Sequence, residues 1–218
     1  MEEDTTEIDI IEDFVRKSGH EDMERDGYTR FPLSNPAGVM KLEQDCEKIE
    51  KITTPSFHYC KLPDAEFLTS DLEVRRHLET RFGKKVEELI MQGPSMVECV
   101  AVSESDQKLP LDFMTAHPIH TRDAISFFIP LTGNADWDNG LFAICTGSHH
   151  QSVEQFYCQP ERDIHRIVVE QYWVLPVEGA TFVQPSPKGG TKMIWVGFSS
   201  HPMGAYIQSP YAFPFMRV

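Results

Sequence analysis

The residues of this chain best suited to chemistry are histidines that border two apolar segments. The segment 116–123 reads AHPIHTRD and precedes the apolar run 124–131, while His201 follows the apolar run 192–198. A histidine and a carboxylate on one strand, met by a distant histidine, hold non-haem iron and leave coordination positions open. The first segment nearly spells half of that pattern.

The spacing within this segment departs from a regular strand. Residues i and i+2 of a strand share a face, so one residue should separate the two ligands. Two residues separate His120 from Asp123, so a regular strand aims Arg122 at the site and Asp123 away from it. A β-bulge would turn Asp123 back. Otherwise the guanidinium of Arg122 faces the site and disfavours a divalent cation. The sequence leaves both arrangements open.

Three other histidines have alternative interpretations. His117 lies close enough to His120 to replace it as a ligand. His149 and His150 follow a Gly-Ser turn, a position typical of surface or turn-capping histidines.

The elements that must position these residues change character near residue 95. Apolar residues at helical intervals predict a short helix ending near Gly19 and a second helix over 37–51. Ser70 and Glu73 have the spacing of a capping box and predict a third helix that continues to Leu89. Apolar runs separated by turn residues predict strands at 96–103, 124–131, 141–146, 180–184 and 192–198. The segment 161–175 is ambiguous. This order of elements indicates a β-sandwich or barrel wrapped by N-terminal helices.

Composition excludes several classes of function. The chain has 218 residues, 40% of them hydrophobic, and a net charge of −14. Nucleic acids and anionic membrane surfaces both attract an excess of lysine and arginine, so we expect neither as a partner. Residues 1–26 hold eleven acidic against three basic residues, typical of a solvated face. The five cysteines are scattered and no apolar stretch is long enough to span a bilayer, so we expect a cytoplasmic protein with reduced thiols.

Several segments together resemble the core of the phytanoyl-CoA dioxygenase-like family. They are the HPIH of 117–120, the NGLFAICTGSHH of 139–150, the ERDGY of 24–28, and the GTKMIW of 190–195 that leads to His201. In that family a short H-x-D strand end precedes a strand, an N-G turn, another strand and a P-G-S-H turn. The resemblance covers most of the chain, and its N-G…G-S-H element is the most specific part.

The resemblance implies a double-stranded β-helix, or jelly roll, as one domain over residues 1–218. Residues 1–95 would form a helical part packed on a core at 96–218. It implies an Fe(II) and 2-oxoglutarate-dependent dioxygenase that oxidises a small organic substrate. His120, Asp123 and His201 would hold the metal. The family places an arginine after the last histidine to bind 2-oxoglutarate, and Arg217 is the only arginine downstream.

A second hypothesis comes from the same departures. The H-x-x-D spacing and the distant Arg217 also fit a jelly-roll relative that has lost iron or cosubstrate binding. Such a protein would bind a ligand or catalyse a non-redox step, and Arg122 would pair with an anionic ligand. Neither hypothesis predicts the oligomeric state.

Overall fold

The computed structural model describes residues 22–46, 52–53, 57–62, 65–101, 113–117 and 121–201. Most of the ordered elements in these ranges are antiparallel strands. The short helix predicted to end near Gly19 lies outside the described residues, as does the segment 211–218, which the family resemblance would use as a short final strand. No helix in the described ranges combines the length and apolarity that crossing a membrane requires.

Four α-helices accompany the strands in the described ranges, in addition to a helical turn at residues 22–26. They are α1 (Ala37–Cys46), α2 (Glu66–Thr69), α3 (Leu72–Phe82) and α4 (Val153–Cys158). Helix α3 begins where the Asp71 carboxylate accepts hydrogen bonds from the backbone nitrogens of Glu73 and Val74, and it ends at Gly83 in the left-handed conformation. The predicted capping residue, Ser70, was therefore wrong by one position. The helix also stops before Leu89, because glycine readily adopts the conformation that closes a helix.

Eleven strands are present in the described ranges. They are β1 (Phe31–Pro32), β2 (Ile52–Thr53), β3 (Phe57–Lys61), β4 (Ile90–Cys99), β5 (Met114–Thr115), β6 (Ala124–Pro130), β7 (Ala143–Cys145), β8 (Ile164–His165), β9 (Trp173–Glu178), β10 (Phe182–Gln184) and β11 (Lys192–Ser199). Strands β4 to β11 pair in a nested order: β4 with β11, β5 with β10, β6 with β9, and β7 with β8. Pairing of the first strand with the last, and so on inward, is the arrangement of a jelly roll. The predicted fold class is confirmed.

The nested pairs form two sheets with the core on both sides of the larger one. The larger sheet has the order β1-β9-β6-β11-β4-β3-β2, and the smaller sheet has the order β5-β10-β7-β8. Alternate residues of β6 divide between two apolar clusters. Phe127 packs with Leu78 of α3 on the helix side, whereas Phe128 packs with Trp195 and Val183 between the sheets. The N-terminal helices therefore cover the outer face of the larger sheet.

Several boundaries differ from the sequence-based expectations. Strand β4 begins at Ile90, six residues before the predicted strand at 96–103. The connection 53–69, where Pro55 and Pro63 predict an irregular loop that could hold a short strand, contains β3 and also α2. The ambiguous segment 161–175 contains β8 and the start of β9. Strand β11 is the eighth strand of the nested set within the described residues.

Candidate metal centre

The pairing of β6 with β11 brings the segments of Asp123 and His201 together. Ala124, the first residue of β6, is the register partner of Ser199, the last residue of β11. Just beyond this pair, the backbone nitrogen of Ser200 donates to the backbone oxygen of Asp123 at 3.1 Å. We call this end of the barrel, which carries His117, Asp123 and His201, the histidine end. The side chains of Asp123 and His201 are both exposed there.

Two of the predicted site residues cannot be placed. His120 lies outside the described residues, one position before the described residue Thr121, and Arg217 also lies outside them. Among the described residues, no group of three or more His, Cys, Asp or Glu side chains could hold a metal ion. The described part of the chain thus brings two of the three predicted ligands, Asp123 and His201, to one edge of the sheet.

A turn, and not a strand, precedes β6 at Arg122 and Asp123. The backbone nitrogen of Asp123 donates a hydrogen bond to the Thr121 hydroxyl at 3.1 Å, which stabilises this turn. The Arg122 side chain is 45% exposed and pairs with Glu24, with Nη2 3.2 Å from Oε1. The guanidinium of Arg122 is thus paired with the carboxylate of Glu24 in the N-terminal segment, and a turn, not a regular strand, sets the direction of Asp123.

The C-terminal end of α3 holds both segments of the histidine end. Arg81 Nη2 donates to the backbone oxygen of Arg122 at 2.7 Å and to Glu178 Oε2 at 2.9 Å. Lys84 Nζ donates to the backbone oxygen of Ser200 at 2.9 Å. One helix end thus fixes the main chain before β6 and after β11. Sequence reasoning missed this anchor, since Arg81 and Lys84 lie 41 and 116 positions from the main-chain oxygens that they contact.

Glu178 is the buried partner of this anchor. Its side chain is 1% exposed, at the end of β9, and it forms a salt bridge with Arg81 Nε. Burial raises the pKa of the Glu178 carboxyl, and the hydrogen bond from Arg81 opposes that shift. The same hydrogen bond raises the pKa of Arg81.

His117 lies between the sheets and is fully buried. Its Nε2 is 2.9 Å from Gln92 Oε1, and Gln92 Nε2 donates to the Ser199 hydroxyl at 3.3 Å. The Ser199 hydroxyl in turn donates to the backbone oxygen of His201 at 3.0 Å. Sequence reasoning considered His117 as an alternative ligand but missed Gln92 and Ser199. The alternation of buried residues along β4 and β11 contained no signal that these polar residues meet.

The adjacent pair His149 and His150 belongs to the same end of the barrel. Each Nε2 lies 2.9 Å from the backbone oxygen of Glu24. His150 is exposed, whereas His149 is only 2% exposed, so of the two predicted environments, surface and turn, His149 has only the second. Burial lowers the pKa of His149 to about 4. A neutral imidazole is therefore fixed against the N-terminal segment at neutral pH.

The donor chemistry of the histidine end suits iron. Imidazole nitrogen and carboxylate oxygen are the ligand types of the non-haem Fe(II) facial triad, and exposed ligands leave room for further oxygen donors. The described pair supplies one of each type.

No protein-family model matches the chain, and no curated protein matches it in sequence. Solved structures do match it over nearly its whole length.

The non-haem α-ketoglutarate-dependent epimerase SnoN from nogalamycin biosynthesis superposes with a TM-score of 0.64 at 10% identity, over 90% of each chain. AviO1 from Streptomyces viridochromogenes Tue57 gives a TM-score of 0.62 at 13% identity, over 87% of this chain and 96% of that one. HygX from Streptomyces hygroscopicus, with nickel, 2-oxoglutarate and hygromycin B bound, gives a TM-score of 0.62 at 10% identity, over 88% of this chain and 94% of that one. At these identities the likeness establishes the jelly-roll fold.

Proposed function

We propose that this chain is a non-haem Fe(II) and 2-oxoglutarate-dependent oxidoreductase that acts on a small organic molecule. The observation that carries the proposal is the juxtaposition of Asp123 and His201 at one edge of a jelly roll. The neighbouring structures support it, because SnoN is described as α-ketoglutarate-dependent and HygX holds nickel and 2-oxoglutarate.

Asp123, His201 and His120 are the proposed metal ligands, and Arg217 is the proposed anchor of the 2-oxoglutarate carboxylate. Bound Fe(II) and 2-oxoglutarate would supply the activation of O₂, with the cosubstrate oxidised to succinate and carbon dioxide. Among the described residues, Arg81 and Lys84 fix the main chain next to Asp123 and His201 and so position these two side chains. The apolar residues between the sheets limit the access of water to the barrel.

The substrate is proposed to be a small molecule because the neighbouring enzymes bind such ligands. SnoN has been solved with nogalamycin RO, and HygX with hygromycin B. We further propose a reaction of the phytanoyl-CoA dioxygenase type, the oxidation of a C–H bond. The neighbours also include an α-ketoglutarate-dependent carbocyclase, SnoK, so enzymes of this fold are not confined to one reaction.

Anaerobic titration with Fe(II) and 2-oxoglutarate tests the proposal. We expect a metal-to-ligand charge-transfer band in the visible range that needs both additions, followed by release of succinate once O₂ is admitted. Fe(II) with succinate in place of 2-oxoglutarate is the control and should give no band. The absence of a band under saturating additions would contradict the proposal and favour a jelly-roll protein that only binds ligands.

A further inference from the structure

A chain of buried hydrogen bonds connects the two histidine-bearing segments through the space between the sheets. It runs from His117 to Gln92, from Gln92 to Ser199, and from Ser199 to the backbone oxygen of His201. His117 and Ser199 are fully buried and Gln92 is 8% exposed. Buried polar groups cost free energy unless they are hydrogen-bonded, so each member of this chain depends on its neighbours. We call it the Gln92 chain.

The backbone carbonyl of His201 fixes the direction of every bond in the Gln92 chain. A carbonyl oxygen only accepts, so the Ser199 hydroxyl must donate its single hydrogen to it. The hydroxyl oxygen can then accept from the amide nitrogen of Gln92, which turns the amide oxygen to His117. That oxygen also only accepts. In the neutral ring, Nε2 of His117 therefore carries the hydrogen and Nδ1 carries the lone pair.

We propose that Gln92 is a positioning residue for the histidine end. It holds His117 as the Nε2–H tautomer and, through Ser199, holds the main chain at His201. Nδ1 is then the ring nitrogen that carries the lone pair. The tautomer follows from the hydrogen bonds described above, whereas the expected effect on metal binding rests on the proposed function.

Nitrogen-15 NMR of the full-length protein, with labelled histidine and at a pH where the ring is neutral, reads the tautomer of His117 directly. The His117→Gln variant identifies its signals. We expect the Nε2–H form in the wild type. In Ser199→Ala the side-chain amide of Gln92 can rotate by about 180° and present either its oxygen or its nitrogen to His117. We therefore expect a mixture of tautomers at His117, although that ring does not touch Ser199.

Ser126→Ala is the matched control. The Ser126 hydroxyl is also fully buried and donates to the backbone oxygen of Ala116 at 2.9 Å, next to His117 but outside the Gln92 chain. We expect this variant to keep the Nε2–H form. An Nδ1–H form in the wild type, or the same tautomer in both serine variants, would overturn the proposal. A Gln92→Leu variant that folds should match Ser199→Ala, and if it does not fold, the serine pair alone decides.

Anaerobic Fe(II) titration of the same two variants separates this inference from the proposed function. Loss of a residue that orients a metal ligand costs roughly tenfold or more in affinity, so we expect Ser199→Ala to bind Fe(II) about tenfold more weakly than Ser126→Ala. Equal affinities would overturn the link to His201. A wild type that shows the Nε2–H form but binds no Fe(II) would refute the proposed function and leave the tautomer assignment standing.

Discussion

The two ends of the barrel are stabilised by different kinds of contact. At the histidine end, long charged side chains from α3 reach the main chain beside β6 and β11. At the opposite end, which we call the asparagine end, the turn at Asn139 contacts the loop before β11 at short range. Thr191 nitrogen donates to the backbone oxygen of Asn139 at 2.6 Å, and Cys99 nitrogen donates to that of Thr191 at 2.8 Å.

The asparagine end is thus held mainly by contacts between main-chain atoms, whereas the histidine end gathers charged and polar side chains. At the asparagine end the contacts are main-chain hydrogen bonds and a capping box. In that box, each of the Asp136 and Asn139 side chains accepts a hydrogen bond from the backbone nitrogen of the other residue. The histidine end keeps a buried carboxylate, a buried neutral imidazole and two exposed candidate ligands. Concentration of costly polar groups at one end is typical of a functional site.

The largest effect is expected from Arg81→Met, which leaves Glu178 buried without its cation. Removing one partner of a buried ion pair costs about 3–5 kcal/mol, because the other charge stays out of water. We expect that loss in urea unfolding, together with weaker Fe(II) binding, since the variant also releases the backbone oxygen of Arg122. The added change Glu178→Gln should restore much of the stability. A loss below about 1 kcal/mol in the single variant would contradict the anchor.

At the asparagine end, Gly140→Ala should destabilise the fold without changing the affinity for Fe(II). Gly140 has a φ of 113°, and a Cβ there would lie 2.8 Å from the Cβ of Cys99. Backbone strain and steric overlap together cost about 3 kcal/mol. Gly133→Ala is the matched control, because its φ is 71° and nothing lies within 4 Å of the added carbon. Equal losses in the two variants would show that contact with Cys99 contributes nothing.

The buried imidazole of His149 predicts a pH dependence of stability. Its pKa is about 4 in the folded state, against an ordinary value of 6.5. Between these two pH values the unfolded chain binds more protons, so stability is fully present above pH 6.5 and falls as the pH falls to 4. We expect a loss of about 2 kcal/mol between pH 7 and pH 5.

Urea unfolding at pH 7 and pH 5 of wild type and His149→Gln isolates this contribution, and His150→Gln serves as the exposed control. Glu178 acts in the opposite direction, because burial raises its pKa, but it is common to all three proteins. An unchanged pH dependence in His149→Gln would refute the assignment.

The smallest effect is expected at the start of α3, far along the helix from its anchoring end. Asp71 caps the helix and also accepts from the backbone nitrogen of Ser34 at 2.7 Å. Asp71→Ala should cost about 1 kcal/mol, as for other N-cap losses. Thermal unfolding measures the loss, and Fe(II) affinity should stay at the wild-type value. A weaker affinity would mean that the whole helix, and not its C-terminal end, positions the site.

A β-sandwich or barrel was predictable because apolar strands and turn residues alternate clearly after residue 95, and the family resemblance added the jelly-roll topology. The run 124–131 is an example: all seven residues of β6 are buried. Before residue 95 the sequence allowed one short strand but could not show its position, since β3 gains its pairing from β4, a partner remote in sequence.

The candidate site was predictable only in its residue types. Periodicity could not show that Arg122 turns to Glu24, because that depends on a charge 98 positions away. It also could not show that Gln92 meets His117, since Gln92 lies in β4 of the larger sheet and His117 follows β5 of the smaller one. Long-range polar contacts of this kind depend on the folded topology and leave no local pattern in the sequence.

The most direct test of the metal centre is an anaerobic Fe(II) titration of four proteins: wild type, Asp123→Ala, His201→Ala and His165→Ala. His165 is an exposed histidine on β8 that is paired with Asp163, and it serves as the control for loss of an imidazole. We predict one tightly bound Fe(II) in wild type and His165→Ala, and affinities at least tenfold weaker in the other two variants. Equal Fe(II) affinities in all four proteins would contradict the assignment of Asp123 and His201 as ligands.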